Sequence, residues 1–339
     1  MDAIYGHEHH ASEKSNHGTY LAAALAGAIL FVVGAFSLLV VLEWFGRLPP
    51  PPIANNICID EKLSFMRDRS FGSPNVLIAG SSVAWRSIDG EAMVSAAKHL
   101  QPLNGGFCGL QVNQAAFVGD WLVDRFASIR TVVFVVSPFD FEGCSTSPMA
   151  AFDLAAADEY VFGRASKWSF YMRNFDPGSM VRNVLRVGSM RKPGHFYSLV
   201  FTKFGDGPVD ALSSERTLMY GPLRRLDGTC FSALASMADR LASESKAIMV
   251  VGVPLHPKWK ELYDHDGTIR ARLREGIVKA IEPSGGKYWD GDAESSTSSE
   301  EFLDAIHLRW PATKTLSKKL AESIGPSLLN EAAAHPGSR

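Results

Sequence analysis

The feature that most constrains this chain is a run without charge. Between Lys14 and Glu43 lie 28 consecutive uncharged residues, and the 22 from Leu21 to Leu42 are almost all apolar or small. At ~1.5 Å of rise per residue, a helix over that stretch is roughly 33 Å long, enough to cross a bilayer core of about 30 Å. A cleaved signal peptide would carry an apolar core of about 7–15 residues followed by a small-residue cleavage site. Here the run is longer and passes directly into Glu43-Trp44-Phe45-Gly46-Arg47, whose aromatics suit a membrane interface. Residues 20–42 therefore read as an uncleaved transmembrane signal anchor. Lys14 and Arg47 lie on opposite sides and balance the positive-inside count. The short leading tail and large following domain predict a single-pass topology with the bulk of the chain extracytoplasmic.

The anchor divides the charge. The whole chain carries −2, and Asp2, Glu8, Glu13 and Lys14 in residues 1–19 already account for it. The remainder is neutral, which excludes bulk electrostatic binding of nucleic acid. Residues 1–19, with His7, His9, His10 and His17, read as a disordered cytoplasmic tail, since the histidines lack the helical pair spacing of a zinc protease. Pro49 to Pro52 predict an extended polyproline spacer within a lead-in covering 43–73. A disordered tail is expected over 326–339.

Short β-like runs alternate with helical patterns across 74–325. Asn75–Ala79, Thr131–Val136, Lys246–Val253 and the shorter Lys287–Asp290 are the strand candidates. Their continuous rather than alternating apolar character indicates a sheet covered on both faces. Phe231–Ser243 and Thr268–Ile281 carry helical spacing. The fold class is α/β, a doubly wound and mostly parallel sheet in a three-layer sandwich. Over 145–220 the rhythm lapses into an insertion rich in aromatics and arginine. From Arg164 to Lys203 there are eight basic residues against one acid, Asp176. Such a segment is a solvated face, a groove for an acidic glycan, or a surface for anionic lipid or a membrane partner.

No Walker loop, Gly-x-Gly-x-x-Gly or Cys-x-x-Cys occurs, so no cofactor and no metal is expected. What remains is Gly80-Ser81-Ser82 at the end of the first strand and Asp304-Ala305-Ile306-His307 near the end of the chain. Sites in open α/β sheets gather at the carboxyl ends of strands. A serine becomes a nucleophile only when a neutral imidazole takes its proton, and a carboxylate must hold that imidazole in the right tautomer. The structural alternatives are a helix cap for Ser82 and a surface turn for Asp304 and His307. His256, in Pro254-Leu255-His256-Pro257, is the reserve base or a substrate contact.

These residues resemble the blocks of the SGNH (GDSL-type) hydrolases and acyltransferases. Leu77-Ile78-Ala79-Gly80-Ser81-Ser82 is similar to the first block and puts the nucleophile on Ser82; Asp304 and His307 match the last. Leu103-Asn104-Gly105-Gly106-Phe107-Cys108-Gly109 resembles the second, implying an oxyanion role for Gly109 with Asn104 beside it. The third block departs from the pattern. Ser137-Pro138-Phe139-Asp140 has Phe139 where the family has its oxyanion asparagine, with Asp140 bracing the loop. The resemblance is strongest to the membrane-anchored, extracytoplasmic branch. It implies a Ser82–His307–Asp304 serine esterase or O-acyltransferase, acting on an envelope or secreted polysaccharide with an acyl donor and a glycan acceptor. It also implies a membrane-bound O-acyltransferase as partner, as in alginate acetylation and D-alanyl transfer. Phe139 supports the alternative of a catalytically impaired binding or assembly subunit. Because the second and third blocks would meet at the carboxyl edge of the sheet, a Cys108–Cys144 disulfide is predicted, with the pairing of Cys58 and Cys230 left open.

Overall fold

The computed structural model describes residues 17–163, 165–194, 198–209 and 218–324. The tails at 1–16 and 325–339, Arg164, and two stretches of the insertion lie outside the described residues. The chain divides between Leu48 and Pro49 into two units. The first is built on one helix, α1 (His17–Trp44), whose 27 residues from Gly18 contain an 18-residue stretch of mean hydropathy 2.8, long and apolar enough to cross a membrane. The expected proline spacer instead belongs to the second unit. Pro49 to Pro52 are buried, and the Tyr171 hydroxyl donates to the Pro49 carbonyl at 2.6 Å.

The second unit is built around five strands, β1 (Val76–Gly80), β2 (Pro102–Asn104), β3 (Thr131–Val136), β4 (Ala247–Gly252) and β5 (Lys287–Asp290). They are all parallel, in the order β2-β1-β3-β4-β5. The chain therefore winds outward in both directions from the β1–β3 pair, the switch point at which open α/β sheets hold their sites. Strand β2 escapes sequence periodicity because it is three residues long and opens with Pro102, tolerated on an edge strand.

Successive strand residues feed two cores. On one face Leu77, Ala79, Val132, Phe134 and Val250 pack against α2 (Ile57–Arg67), α5 (Val112–Arg125), α9 (Gly228–Ser243) and α11 (Thr268–Ile281). On the other, Val76, Ile78, Val133, Val135 and Val251 meet α3 (Ser82–Ser87), α4 (Gly90–Ala96), α10 (Pro257–Tyr263) and α13 (Trp310–Ser323). This two-sided burial is why the strands read as unbroken apolar runs. The short α12 (Gly291–Glu294) follows β5. The insertion contributes α6 (Leu154–Val161), α7 (Lys167–Arg173) and α8 (Pro177–Met190), joined to α2 by the Arg191–Glu61 ion pair at 2.6 Å.

The cysteine pairing differs from the expected one. Cys108 is bonded to Cys58, and Cys144 to Cys230, so the predicted Cys108–Cys144 bridge is absent. The reason is topological. Cys108 follows β2 and Cys144 follows β3, and β1 lies between those strands. Two inter-strand spacings separate them by about 9.6 Å, beyond the ~7 Å Cα reach of a disulfide. Each cysteine pairs instead with the helix over its own side of the sheet, α2 for Cys108 and the start of α9 for Cys144.

Candidate active site

Strand β1 ends on Gly80, whose φ of +141° is closed to other residues. A Cβ there would stand 2.3 Å from the Val135 carbonyl oxygen. The chain turns sharply into α3, with Ser81 as N-cap and Ser82 as first helical residue. The two serines take different partners. The Ser81 hydroxyl accepts from Val83 N–H at 3.4 Å and bonds the Asp140 carboxylate. The Ser82 hydroxyl lies 3.0 Å from His307 Nε2.

His307 stands on a loop shaped by its own motif. Asp304 Oδ1 accepts the backbone N–H groups of Ile306 and His307, both at 2.9 Å, and Oδ2 lies 2.8 Å from His307 Nδ1. An ionised carboxylate can only accept, so Nδ1 carries the proton and Nε2 presents its lone pair to Ser82. Both residues are nearly enclosed, at 3% exposure for Asp304 and 7% for His307. Burial pushes the Asp304 carboxyl up. The His307 charge and hydrogen bond, with the two backbone N–H groups, outweigh that and hold it below the usual range. The loop is pinned on both sides, by Ala305 N–H to Leu218 O at 3.1 Å and His256 N–H to Ala305 O at 3.0 Å. The structure thus brings together Ser82, His307 and Asp304, 225 residues apart at the Ser82–His307 contact.

Gly109 and Asp140 frame the same strand ends. Gly105 N–H bonds Ile78 O at 2.8 Å and Phe107 N–H bonds Gly80 O at 3.2 Å, laying the second block along the end of β1. Gly109 has φ +72° and is exposed, and its N–H makes no hydrogen bond among the described residues. Asp140 Oδ2 accepts Ser137 N–H at 2.6 Å and Ser137 Oγ–H at 3.0 Å. Burial raises its carboxyl to about 6, against the lowering pull of the Ser81 and Ser137 bonds and of His307.

Two expected contacts lie elsewhere. Asn104 does not face the site: its amide donates to Ala84 O and Asp206 Oδ1, and its Oδ1 accepts Gly106 N–H at 3.0 Å. A buried carboxamide so bonded braces the second-block loop and has nothing left for a substrate. The ring that meets the Ser82 hydroxyl is His307, while His256 takes another partner. Its Nδ1 accepts Lys258 N–H at 3.0 Å as the cap of α10. Burial, then the Lys258 charge, push its imidazole below the ordinary range. Together with Leu218, Tyr220, Lys258 and Tyr263 it lines a cleft of about 470 Å³. Phe139 connects that cleft to the third block, with its ring 4.7 Å from Tyr220 and 5.4 Å from Trp259.

Sequence reasoning missed Ser81, Tyr220, Trp259 and a buried pair behind the second block. Lys62 Nζ donates to Gly205 O at 2.5 Å, and Asp206 accepts from Asn104, Thr202 and Gly90. Burial pushes the ammonium down and the carboxyl up. The Gly205-Asp206-Gly207 turn was a visible signal; nothing local marked Lys62. Among the described residues no cluster of His, Cys, Asp and Glu could hold a metal ion.

No protein-family model matches the chain, and no curated protein matches it. Among solved structures it is similar to a carbohydrate acetylesterase family member from Sinorhizobium meliloti, at 12% identity over 75% of this chain and 98% of that one, with TM-score 0.35. It is similar as well to a structure described as a putative arylesterase from Agrobacterium tumefaciens str. C58, at 12% identity over 74% and 97%, TM-score 0.36. A third likeness is to an inhibitor-bound aryl esterase of M. smegmatis, at 12% identity over 75% and 98%, TM-score 0.35.

Proposed function

We propose that this chain is a membrane-anchored SGNH-type serine esterase or O-acyltransferase whose domain is extracytoplasmic and acts on an envelope or secreted polysaccharide. The observation that carries the reading is the Ser82–His307–Asp304 relay, at 3.0 Å and 2.8 Å, at the switch point of a parallel sheet. Two disulfides in a chain with an apolar N-terminal helix support placement outside the cytosol.

In this reading Ser82 Oγ attacks the acyl carbonyl as its proton passes to His307 Nε2. Asp304 stabilises the imidazolium, and Asp140 adds negative charge nearby. The oxyanion is held by the N–H groups of Ser82, first in α3 and without an intrahelical acceptor, and of Gly109. His307 returns the proton to the departing alcohol, leaving an acyl-Ser82 ester. Water or a sugar hydroxyl, deprotonated by the same imidazole, then takes the acyl group. Phe139 supplies no donor where the family uses an asparagine, and one such donor is worth about 2.7–4 kcal/mol in the transition state. That residue favours the second reading, a binding or assembly subunit of a polysaccharide acylation or export complex working beside a membrane-bound O-acyltransferase.

A serine-reactive fluorophosphonate decides between them. The full-length chain in detergent should be labelled, and Ser82→Ala should not. Equal labelling of both would sink the catalytic assignment, and a folded wild type that resists labelling would leave the binding subunit.

A further inference from the structure

Helix α8 exposes a continuous stripe. Gly178, Val181, Arg182, Leu185, Arg186 and Ser189 face solvent at helical spacing, while Ser179 and Val187 turn inward. Leu185 is 77% exposed and Val181 61%, beside exposed Met172 and Phe175 at the end of α7 and in the turn that follows it. Apolar residues flanked by arginines on one helical face are the composition of helices that lie in a lipid headgroup layer. A face built for water would not hold two large aliphatic side chains one turn apart with this exposure.

Connectivity says which membrane is within reach. Tyr171 of α7 is hydrogen-bonded to the Pro49 carbonyl, five residues beyond Trp44 at the end of α1. Five residues span at most about 18 Å however they are arranged. On the anchor reading, the residue to which Tyr171 is bonded therefore lies within that reach of the end of the span. Electrostatics adds a sign. From Lys167 to Arg191 five basic residues stand against one acid, Asp176, in a chain whose net charge is −2. Arg191 turns inward to Glu61, whereas Arg182 and Arg186 stay at the surface.

We propose that the outward stripe of α8, with Met172 and Phe175, rests on the anionic headgroup layer of the bilayer spanned by α1. The proposal rests on the anchor reading above and on no catalytic residue. Its consequence is that the domain meets the membrane at two points, the anchor and α8, which limits its rotation about the tether.

The test uses the full-length chain in lipid nanodiscs of phosphatidylcholine, with or without about a third phosphatidylglycerol. All four native cysteines are paired, so Ser189→Cys supplies the only free thiol for an environment-sensitive fluorophore. In anionic discs its emission should shift to the blue and be quenched by brominated lipid. A probe at Ser236→Cys, on exposed α9 surface, should show neither effect. Replacing Arg182 and Arg186 by Ser should lower the docked-to-free ratio about fivefold for each, and Leu185→Asp should abolish quenching. A probe unquenched in anionic discs overturns the proposal, as does quenching that survives all three replacements. Crosslinking of two copies through position 189 in place of quenching assigns the face to self-association and overturns it too. Failure of the chain to enter discs at all overturns the anchor and the docking together, whereas entry without quenching overturns the docking alone.

Discussion

Removing the Cys58–Cys108 bridge should lower stability and activity together. In the chain-entropy model a cross-link restricts the unfolded ensemble in proportion to the logarithm of the loop it closes. The 50-residue separation gives about 4 kcal/mol. A domain of this size loses roughly 2–4 °C of Tm per kcal/mol, so Cys58→Ala/Cys108→Ala should melt roughly 8–16 °C below wild type. The functional part follows from position. Cys108 immediately precedes Gly109, and the bridge ties that loop to α2, where Lys62 also holds Gly205. The backbone bonds of Gly105 and Phe107 keep the start of the loop in place without the disulfide, but among the described residues no such bond is made by the N–H of Cys108 or Gly109 at its tip. The rate of fluorophosphonate labelling should therefore fall toward the roughly 10²–10³-fold cost of one lost oxyanion donor. Near-UV circular dichroism of the detergent-solubilised full chain reads the melt. The Cys144→Ala/Cys230→Ala variant, closing an 86-residue separation, should lose similar stability and little labelling rate. A double alanine variant at 58 and 108 that melts within about 2 °C of wild type refutes the loop-entropy reasoning. Non-reducing peptide mapping that links Cys108 to Cys144 refutes the pairing itself.

Two further outcomes follow from the site. Asp304→Asn leaves the imidazole in place but permits the wrong tautomer, and labelling at Ser82 should slow about 10⁴-fold; a loss under about tenfold would show that Asp304 does not orient His307. Asp140 has its carboxyl raised from 3.8 to about 6, so the folded state holds the extra proton between those values. The stability associated with protonated Asp140 is present below about pH 4 and lost as pH rises through about 6. Asp140→Asn should thus raise stability at pH 7 by on the order of 3 kcal/mol and flatten its decline across that window. Labelling should slow in the same variant, because the negative charge near His307 is gone. Denaturant titrations at pH 4 and pH 7 check this, and an equal change at both pH values would show that ionisation of Asp140 is not the cause.

The uncharged run, four of the five strands in their α/β rhythm and the two ends of the relay were legible in the order of residues alone. Each is a local property. A span needs only length and apolarity, a buried parallel strand needs only a short apolar run, and Asp-x-x-His closes its own turn through two backbone N–H groups. Three features depended on distances that no local pattern carries. Cysteine partners followed from β1 lying between β2 and β3. The inward bonding of Asn104 followed from Asp206, 102 residues away, coming within 3.1 Å. The outward face of α8 emerged only when the rest of the insertion had chosen which side of that helix to cover. Composition and spacing thus determined that this chain has an apolar helix long enough to cross a membrane, a two-sided sheet and a candidate serine with its base. The tertiary structure decided which serine meets the histidine, which loops are tethered and which apolar side chains stay exposed, because packing compares surfaces that the sequence keeps far apart.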